Sequence, residues 1–275
     1  MMARRLLAFV IVGLLSMIAG GVRAESIVLA STTSVQDSGL LEHILPAFTA
    51  ANGIEVRVLA QGTGQALATA ARGDADLVLV HDPEAEDRFI AEGHGKDRRQ
   101  IAWNDFVIVG PAEDPAHVGG GRDAQAALRA IAAARAPFVS RGDKSGTDAL
   151  EKRLWRAIGL KPSYATGDAW YRDIGGGMGA ALNAAAGMNA YTLTDRGTWL
   201  NFANKADLKI LVEGDPGLVN RYDAILLDPV KHPDAKHEAA RRLRDWLVSP
   251  TGQSAIGAYA VQGEQLFHPS AAAPK

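Results

Sequence analysis

The chain has no cysteine among its 275 residues. That absence excludes disulfide staples, thiol nucleophiles, thiolate metal sites and acylated lipoprotein anchors. A chain of this length buries enough surface to fold without staples. Long hydrophobic runs are also scarce. One spans Leu6–Ile18, and nothing later approaches the roughly 20 residues needed to cross a bilayer. Net charge is only −2, which makes nonspecific binding to nucleic acid a poor reading. Aromatic residues are 6% of the chain, and Trp103, Trp155, Trp170, Tyr171 and Trp199 are scattered. They read as packing rather than as a sugar-binding platform. The seven histidines show no close metal-ligand spacing, and His232 and His237 stand five apart in a polar, proline-containing stretch. Enzyme signatures are missing too. Gly142-Asp143-Lys144-Ser145-Gly146 is no nucleophile elbow, because its serine comes one place late, and it lacks the Gly-Lys-Ser/Thr ending of a P-loop.

The amino terminus carries a processing signal. Arg4-Arg5 precede the apolar run, and Gly20, Gly21 and Val22-Arg23-Ala24 follow it. A basic region, an apolar region and a small-residue cleavage site predict a removable signal peptide over residues 1–24 and export of a soluble chain. Losing Arg4, Arg5 and Arg23 takes the net charge to −5. Any anion site in such a protein has to build positive potential locally.

From Glu25 onward, strand and helix patterns alternate. Apolar strands are expected at Ile27–Ala30, Ile54–Leu59, Leu77–Val80, Phe106–Val109, Pro137–Ser140, Ala190–Leu193, Leu208–Val212 and Tyr222–Leu227. Helices are expected over Ser38–Ala51 (kinked by Pro46), Gly64–Arg72, Pro83–Glu92, Asp123–Arg135, Gly146–Ile158, Ala235–Val248 and Thr251–Ala258. In the fifth of these, Leu150, Leu154 and Ile158 mark the expected apolar face. The glycine-rich turn Gly175–Gly179 starts another helix, and Ala271–Lys275 reads as a loose tail. The alternation predicts an α/β fold with parallel sheet, and ligands of such folds bind beyond the carboxyl ends of the strands.

Three strand-to-helix turns share one chemistry: Ser31-Thr32-Thr33-Ser34, Gln61-Gly62-Thr63-Gly64, and Ser140-Arg141-Gly142-Asp143-Lys144-Ser145-Gly146-Thr147. Small hydroxyl and glycine residues leave the first N–H groups of each helix uncovered, where the helix dipole favours an anion. Arg141 adds a charged fork of donors suited to a dianion; the competing reading is an ion pair with Asp143. The hydroxyls of Thr32, Thr33, Ser34 and Thr63 can donate to an anion or simply cap their helices. Ser145 and Thr147 start a helix, and Gly146 lies between them. Tyr191 and Thr192 sit at a strand end that can face the cleft. Asp195 and Arg196 read as a helix cap and an ion pair, since a carboxylate repels a dianion.

The stretches Thr32–Leu41, Gly62–Leu67, Asp74-Ala75-Asp76 leading to Val80-His81, Asn104–Pro111, Ser140–Thr147 and Ala190–Thr198 together resemble the periplasmic tungstate-binding proteins of ABC-type uptake systems. The likeness extends to Leu266-Phe267-His268-Pro269. It implies a two-lobed periplasmic binding protein of type II-like fold, with the ligand cleft between lobes, that closes on tungstate or molybdate. It further implies delivery to a membrane permease and its ATPase, by a monomer without a cofactor. The expected division is residues 25–108 in lobe 1, 109–213 in lobe 2, and 214–275 returning to lobe 1. By position, Thr32, Thr33, Ser34 and Thr63, with Gly64, come from one lobe. Arg141, Ser145 and Thr147, with Gly146, come from the other. Ile174 stands where the family carries threonine, so the Gly175–Gly179 turn, Gly177 included, offers backbone N–H groups rather than a side chain. The alternatives are a phosphate- or sulfate-binding protein, or a periplasmic phosphatase or sulfatase using Ser145.

Overall fold

The structure is a computed structural model that describes residues 25–261 and 263–270; the expected signal peptide and the tail after residue 270 lie outside them. The chain opens with β1 (Glu25–Thr32), α1 (Thr33–Asp37), α2 (Leu40–Asn52), β2 (Ile54–Gln61), α3 (Thr63–Ala71), β3 (Leu77–Val80) and α4 (Pro83–Ala91). It continues through β4 (Gly95–Pro111), α5 (Ala124–Ala134), β5 (Phe138–Ser140), α6 (Gly146–Ala157), β6 (Tyr171–Asp173), α7 (Met178–Met188), β7 (Tyr191–Asp195) and α8 (Arg196–Asn201). It closes with β8 (Leu208–Val212), β9 (Val219–Leu227), α9 (His237–Val248), α10 (Pro250–Gly257) and three two-residue strands, β10 (Ala260–Val261), β11 (Glu264–Gln265) and β12 (His268–Pro269). No helix among the described residues is long and apolar enough to cross a membrane.

The main sheet runs in the order β2-β1-β3-β9-β4-β7-β5-β6. β1 lies parallel to β2 and β3, while β9 returns antiparallel between β3 and β4. β4 is the strand on which the architecture turns. Up to Asp105 it pairs with β9; from Phe106 onward it pairs with β7 and β8. β7 in turn lies parallel to β5, and β5 to β6. The chain therefore passes from one half of the sheet to the other along β4 and returns through residues 213–218 into β9.

Alternation along β1 shows why this segment is a strand. Ile27 and Leu29 enter one core with Leu40, Ile44 and Phe48 of α2, and Ala30 enters another with Ala66, Val78 and Val80. Each fully buried aliphatic side chain contributes about 1.5–3 kcal/mol. A third core, built on Phe106, Phe138, Trp155, Tyr171 and Tyr191, belongs to the second half.

Three expectations change. The strand expected at Phe106–Val109 is 17 residues long. Its earlier part carries Lys96, Asp97, Arg98 and Arg99, whose charges hide a strand that pairs through its backbone. The first helix is two: α1 starts at Thr33, and Gly39 in the left-handed region (φ 78°) turns the chain into α2. A Cβ at Gly39 would also sit 2.4 Å from the Tyr259 hydroxyl, so glycine is required there twice over. α2 runs on through Pro46 to Asn52. In α6 the buried face is turned by one position. Leu154 and Trp155 are buried, but Leu150 and Ile158 are only partly so, and Glu151 is buried in the place the apolar spacing assigns to Leu150.

Glu151 is tolerated because its Oε1 accepts from the Tyr171 hydroxyl (2.6 Å) and from Trp155 Nε1 (3.1 Å). Burial raises its carboxyl to about 7. The folded state then holds a proton that the unfolded chain releases near 4.5. This group's stabilisation is complete below the unfolded value and is lost as pH rises to the folded one. We expect wild-type stability to fall between pH 5 and pH 7 by about 2 kcal/mol from this group, and Glu151→Gln, which mimics the protonated acid, to flatten that fall. Thermal midpoints across this range decide it. An unchanged pH dependence in the variant would contradict the assignment.

Candidate functional site

The first hydroxyl turn ends β1 and starts α1. Ser31 Oγ donates to the Leu79 carbonyl (2.9 Å), which ties the turn to β3. Thr32 caps α1, its Oγ1 accepting from Val35 N (3.2 Å) and lying 3.1 Å from His81 Nε2. The second turn places Thr63 first in α3, buried, with its Oγ1 making no hydrogen bond. A buried hydroxyl without a partner costs the protein stability.

The third turn holds the charge. Arg141 directly follows β5 and is 1% exposed. Its Nη1 donates to Ser34 Oγ (2.9 Å) and, more weakly, to Thr147 Oγ1 (3.4 Å); its Nη2 donates to Asp143 (2.5 Å). Nε has no partner. The guanidinium thus reaches from the second half of the sheet to the first. Its ion pair with Asp143 and its place in the site coexist.

Carboxylates organise the loop around it. Asp148 accepts from the N–H groups of Gly142 and Lys144, Asp143 accepts from Ser145 N, and Ser145 Oγ caps α6 at Asp148 N. The N–H groups of Gly146 and Thr147, at the first two positions of α6, lie outside these bonds and outside the intrahelical ladder. Gly146 faces the other half closely. A Cβ there would stand 2.9 Å from His81 Cε1 and 3.2 Å from Thr63 Oγ1. Further along α6, Arg153 pairs with Asp82 (3.1 Å) across the same divide. The glycine turn contributes by holding the arginine, since Gly176 N donates to the Arg141 carbonyl (3.2 Å).

The structure therefore gathers Thr32, Ser34, Thr63, Arg141, Gly146 and Thr147. Ser145 is buried beside them as the helix cap. Thr33 is half-buried in the first turn of α1, with no hydrogen bond from its hydroxyl to this group. Gly64 is exposed and lines a separate groove with Leu67 and Arg88, so only its N–H remains usable. Gly177 caps α7 from an exposed position next to Gly176. Tyr191 is turned away. Its hydroxyl donates to Asp114 (2.7 Å) and accepts from Ala116 N (3.0 Å), because its ring fills the second half's core. Thr192 lies on the opposite face of β7, without a hydrogen bond from its hydroxyl to the site. Asp195 caps α8 at Thr198 N (2.8 Å), and Arg196 grips Asp105 and Glu213.

Sequence reasoning assigned no role to His81, Asn104, Asn220 or Tyr222, which stand behind Thr32. They come from the turn after β3, from β4 and from β9. Although Asn220 and Tyr222 stand two apart on one face of β9, nothing local ties them to His81 or Asn104; only a polar residue just past the buried strand β3 hinted at the first of them. Burial lowers the His81 pKa to about 4, against the raising effect of its bond to Asn220. Burial raises that of Asp195. Among the described residues, no group of three or more His, Cys, Asp or Glu could hold a metal ion. A groove of about 740 Å³ lies elsewhere, at the two passages between halves, lined by Asp105, Glu213, Asp215, Glu264 and Arg196. Its carboxylates make it a poor place for an anion.

A PBP superfamily domain matches residues 20–251. The tungstate-binding protein TupA of Peptoclostridium acidaminophilum is 44% identical over 251 residues, covering 90% of this chain and 86% of that protein. The solved structure of TupA from Desulfovibrio alaskensis G20 superposes with a TM-score of 0.79 at 44% identity, covering 90% of this chain and 100% of that one. The solved tungstate ABC transporter structure from Geobacter sulfurreducens gives 0.77 at 44% identity, over 86% and 99% of the two chains.

Thr63 separates binding from stability. Thr63→Val removes a hydroxyl that bonds nothing in the free protein, so the thermal midpoint without ligand should hold or rise, while oxyanion affinity should fall by about 1 kcal/mol. A lowered midpoint with unchanged affinity would place the hydroxyl in the scaffold instead.

Proposed function

Because the chain belongs to the PBP superfamily and, within it, to the tungstate-binding proteins, we propose that it captures a tetrahedral oxyanion, tungstate or molybdate, and delivers it to an ABC permease and its ATPase. The anion is cargo, not cofactor, and the role is binding rather than catalysis. The observation that carries this reading is the buried Arg141 guanidinium, reaching Ser34 across the divide while its Nε and the facing Thr63 hydroxyl have no partner. Those are donors waiting for an acceptor.

The donor set suits a fully deprotonated dianion. Arg141 supplies charge, Ser34, Thr63 and Thr147 supply hydroxyls, and the starts of α3 and α6 supply N–H groups and positive potential. Asp143, the nearest carboxylate, spends its oxygens on Arg141 and Ser145. A set made chiefly of donors favours a ligand that carries no proton of its own. Ser145 makes a poor nucleophile, because its hydroxyl caps α6 and the nearby His81 nitrogens face Thr32 and Asn220.

We assign residues 25–108 and the described residues from 214 to 270 to one lobe and 109–213 to the other, with the ligand between them. Arg196 then stands at the hinge, bonding Asp105 on one passage (2.7 Å) and Glu213 on the other (2.6 Å). Export to the periplasm, removal of residues 1–24 and a monomeric state complete the proposal.

Calorimetric titration of the chain from Glu25 with tungstate, molybdate, sulfate and phosphate tests it. Tungstate or molybdate should bind one to one and, at 100 times the dissociation constant, stabilise the protein by about 2.7 kcal/mol. Stabilisation by sulfate or phosphate alone would overturn the specificity. Arg141→Ala should weaken binding by roughly 2–5 kcal/mol while the protein stays folded, and Arg141→Lys should recover only part, since an ammonium cannot reproduce the fork. Wild-type affinity in folded Arg141→Ala would move the anion away from α6.

A further inference from the structure

Behind Thr32, a buried line of polar side chains runs into the first half of the sheet. Thr32 Oγ1 lies 3.1 Å from His81 Nε2, and His81 Nδ1 lies 3.0 Å from Asn220 Oδ1. Asn220 Nδ2 lies 2.8 Å from Asn104 Oδ1 and 2.6 Å from the Tyr222 hydroxyl, which is 3.2 Å from Asn104 Oδ1. All five residues are buried. The number of protons in this line decides what Thr32 can do.

With the amides in this orientation, Asn220 Oδ1 can only accept, so His81 carries its proton on Nδ1. Nε2 is then a bare lone pair, and the single hydroxyl proton of Thr32 goes to it. Thr32 has nothing left to donate to an anion. The orientation also strands Asn104 Nδ2, a buried amino group with two N–H bonds and no partner. Two orphan donors are costly.

A half-turn of both amides keeps every heavy-atom contact and reverses the direction of the line. Asn104 Nδ2 now donates to Asn220 Oδ1 and to the Tyr222 oxygen, and the Tyr222 hydroxyl donates to Asn220 Oδ1. Asn220 Nδ2 donates to His81 Nδ1. The imidazole stays neutral, with one proton lost from Nδ1 and one gained at Nε2. Nε2–H then donates to Thr32 Oγ1, and the Thr32 proton is released toward the cleft. The residual cost is one under-used carbonyl oxygen on Asn104, which buried sites tolerate better than an orphan N–H.

Resting on the oxyanion reading above, we propose that His81 is a positioning residue: in the anion-bound protein it is the neutral Nε2–H tautomer, donates to Thr32, and so aims the Thr32 hydroxyl proton at the ligand. Asn104, Asn220 and Tyr222 select that tautomer. The burial that keeps the imidazole neutral serves the same end, because a neutral ring has only one proton to place.

Nitrogen-15 spectra of histidine-labelled protein distinguish the two neutral tautomers and the imidazolium, with His81→Gln identifying the signals. Tungstate-bound wild type should show His81 as Nε2–H; an Nδ1–H tautomer or an imidazolium in that complex overturns the proposal. Affinities give an independent reading. Thr32→Val should weaken tungstate binding two- to ten-fold, the span of one neutral hydrogen bond. His81→Leu should match that loss, His81→Gln, whose amide can supply the N–H, should recover most of it, and His81→Leu should add nothing in a Thr32→Val background. Multiplying losses in the double variant would mean that His81 acts by another route. If tungstate binds with the expected dependence on Arg141 while the tautomer is Nδ1–H, only this inference fails. If tungstate does not bind at all, the oxyanion reading itself has failed.

Discussion

A guanidinium cannot be left alone in a protein interior, because burying an unpaired charge costs several kcal/mol. Arg141 is 1% exposed, and much of the surrounding structure can be read as an answer to that constraint. Asp143 provides the compensating charge, Ser34 and Thr147 provide oxygens, and Gly176 fixes the backbone from behind. Three of the five guanidinium N–H bonds are met in this way, and Nε is left without a partner. The answer also draws on both halves of the sheet, since Arg141 reaches Ser34; on the proposed function, anion capture would then be coupled to the contact between them. A bound dianion would outweigh the charge of Arg141 alone. The ends of α3 and α6 each add roughly half a positive charge, but Asp143 already offsets Arg141, so hydrogen bonds have to supply the rest of the hold on such a ligand.

The fold makes that coupling possible through one strand. β4 belongs to both halves, changing partner between Asp105 and Phe106. The largest hydrophobic core runs across the change of partner, joining Ile27, Leu29 and Phe48 to Val109, Val139, Leu182 and Trp199, so a reorientation of the halves has to slide or repack that shared face. Arg196 bonds the two passages to each other. Polar contacts that cross the divide include Arg141 with Ser34, Arg153 with Asp82 and Asn201 with the Ser38 carbonyl.

How much of this was legible in the sequence depends on range. The strand-to-helix turns announce themselves locally, so Thr32, Ser34, Thr63, Arg141 and Thr147 could be selected from residue type and position alone. The amphipathic helices and the buried run Leu77–Val80 are equally local. What escaped was non-local. The first part of β4 looks polar because Lys96–Arg99 alternate outward, and only its pairing with β9 makes it a strand. Glu151 could not be foreseen inside, since its partners include Tyr171, twenty residues away. Tyr191 at a strand end looked available to the cleft until Asp114, 77 residues earlier, claimed its hydroxyl. The line behind Thr32 joins residues up to 139 positions apart, beyond any spacing argument.

The central claim is that the donors around Arg141 meet on one anion. Crystals of the chain from Glu25 grown with tungstate, measured near a tungsten absorption edge, test it most directly, because the metal's anomalous peak locates the ligand without reference to the protein. The account predicts a single strong peak with its oxygens within hydrogen-bond reach of Arg141, Thr63 and the first turn of α6. A peak in the groove beside Arg196 and Glu213, or anywhere beyond the reach of Arg141, would contradict it.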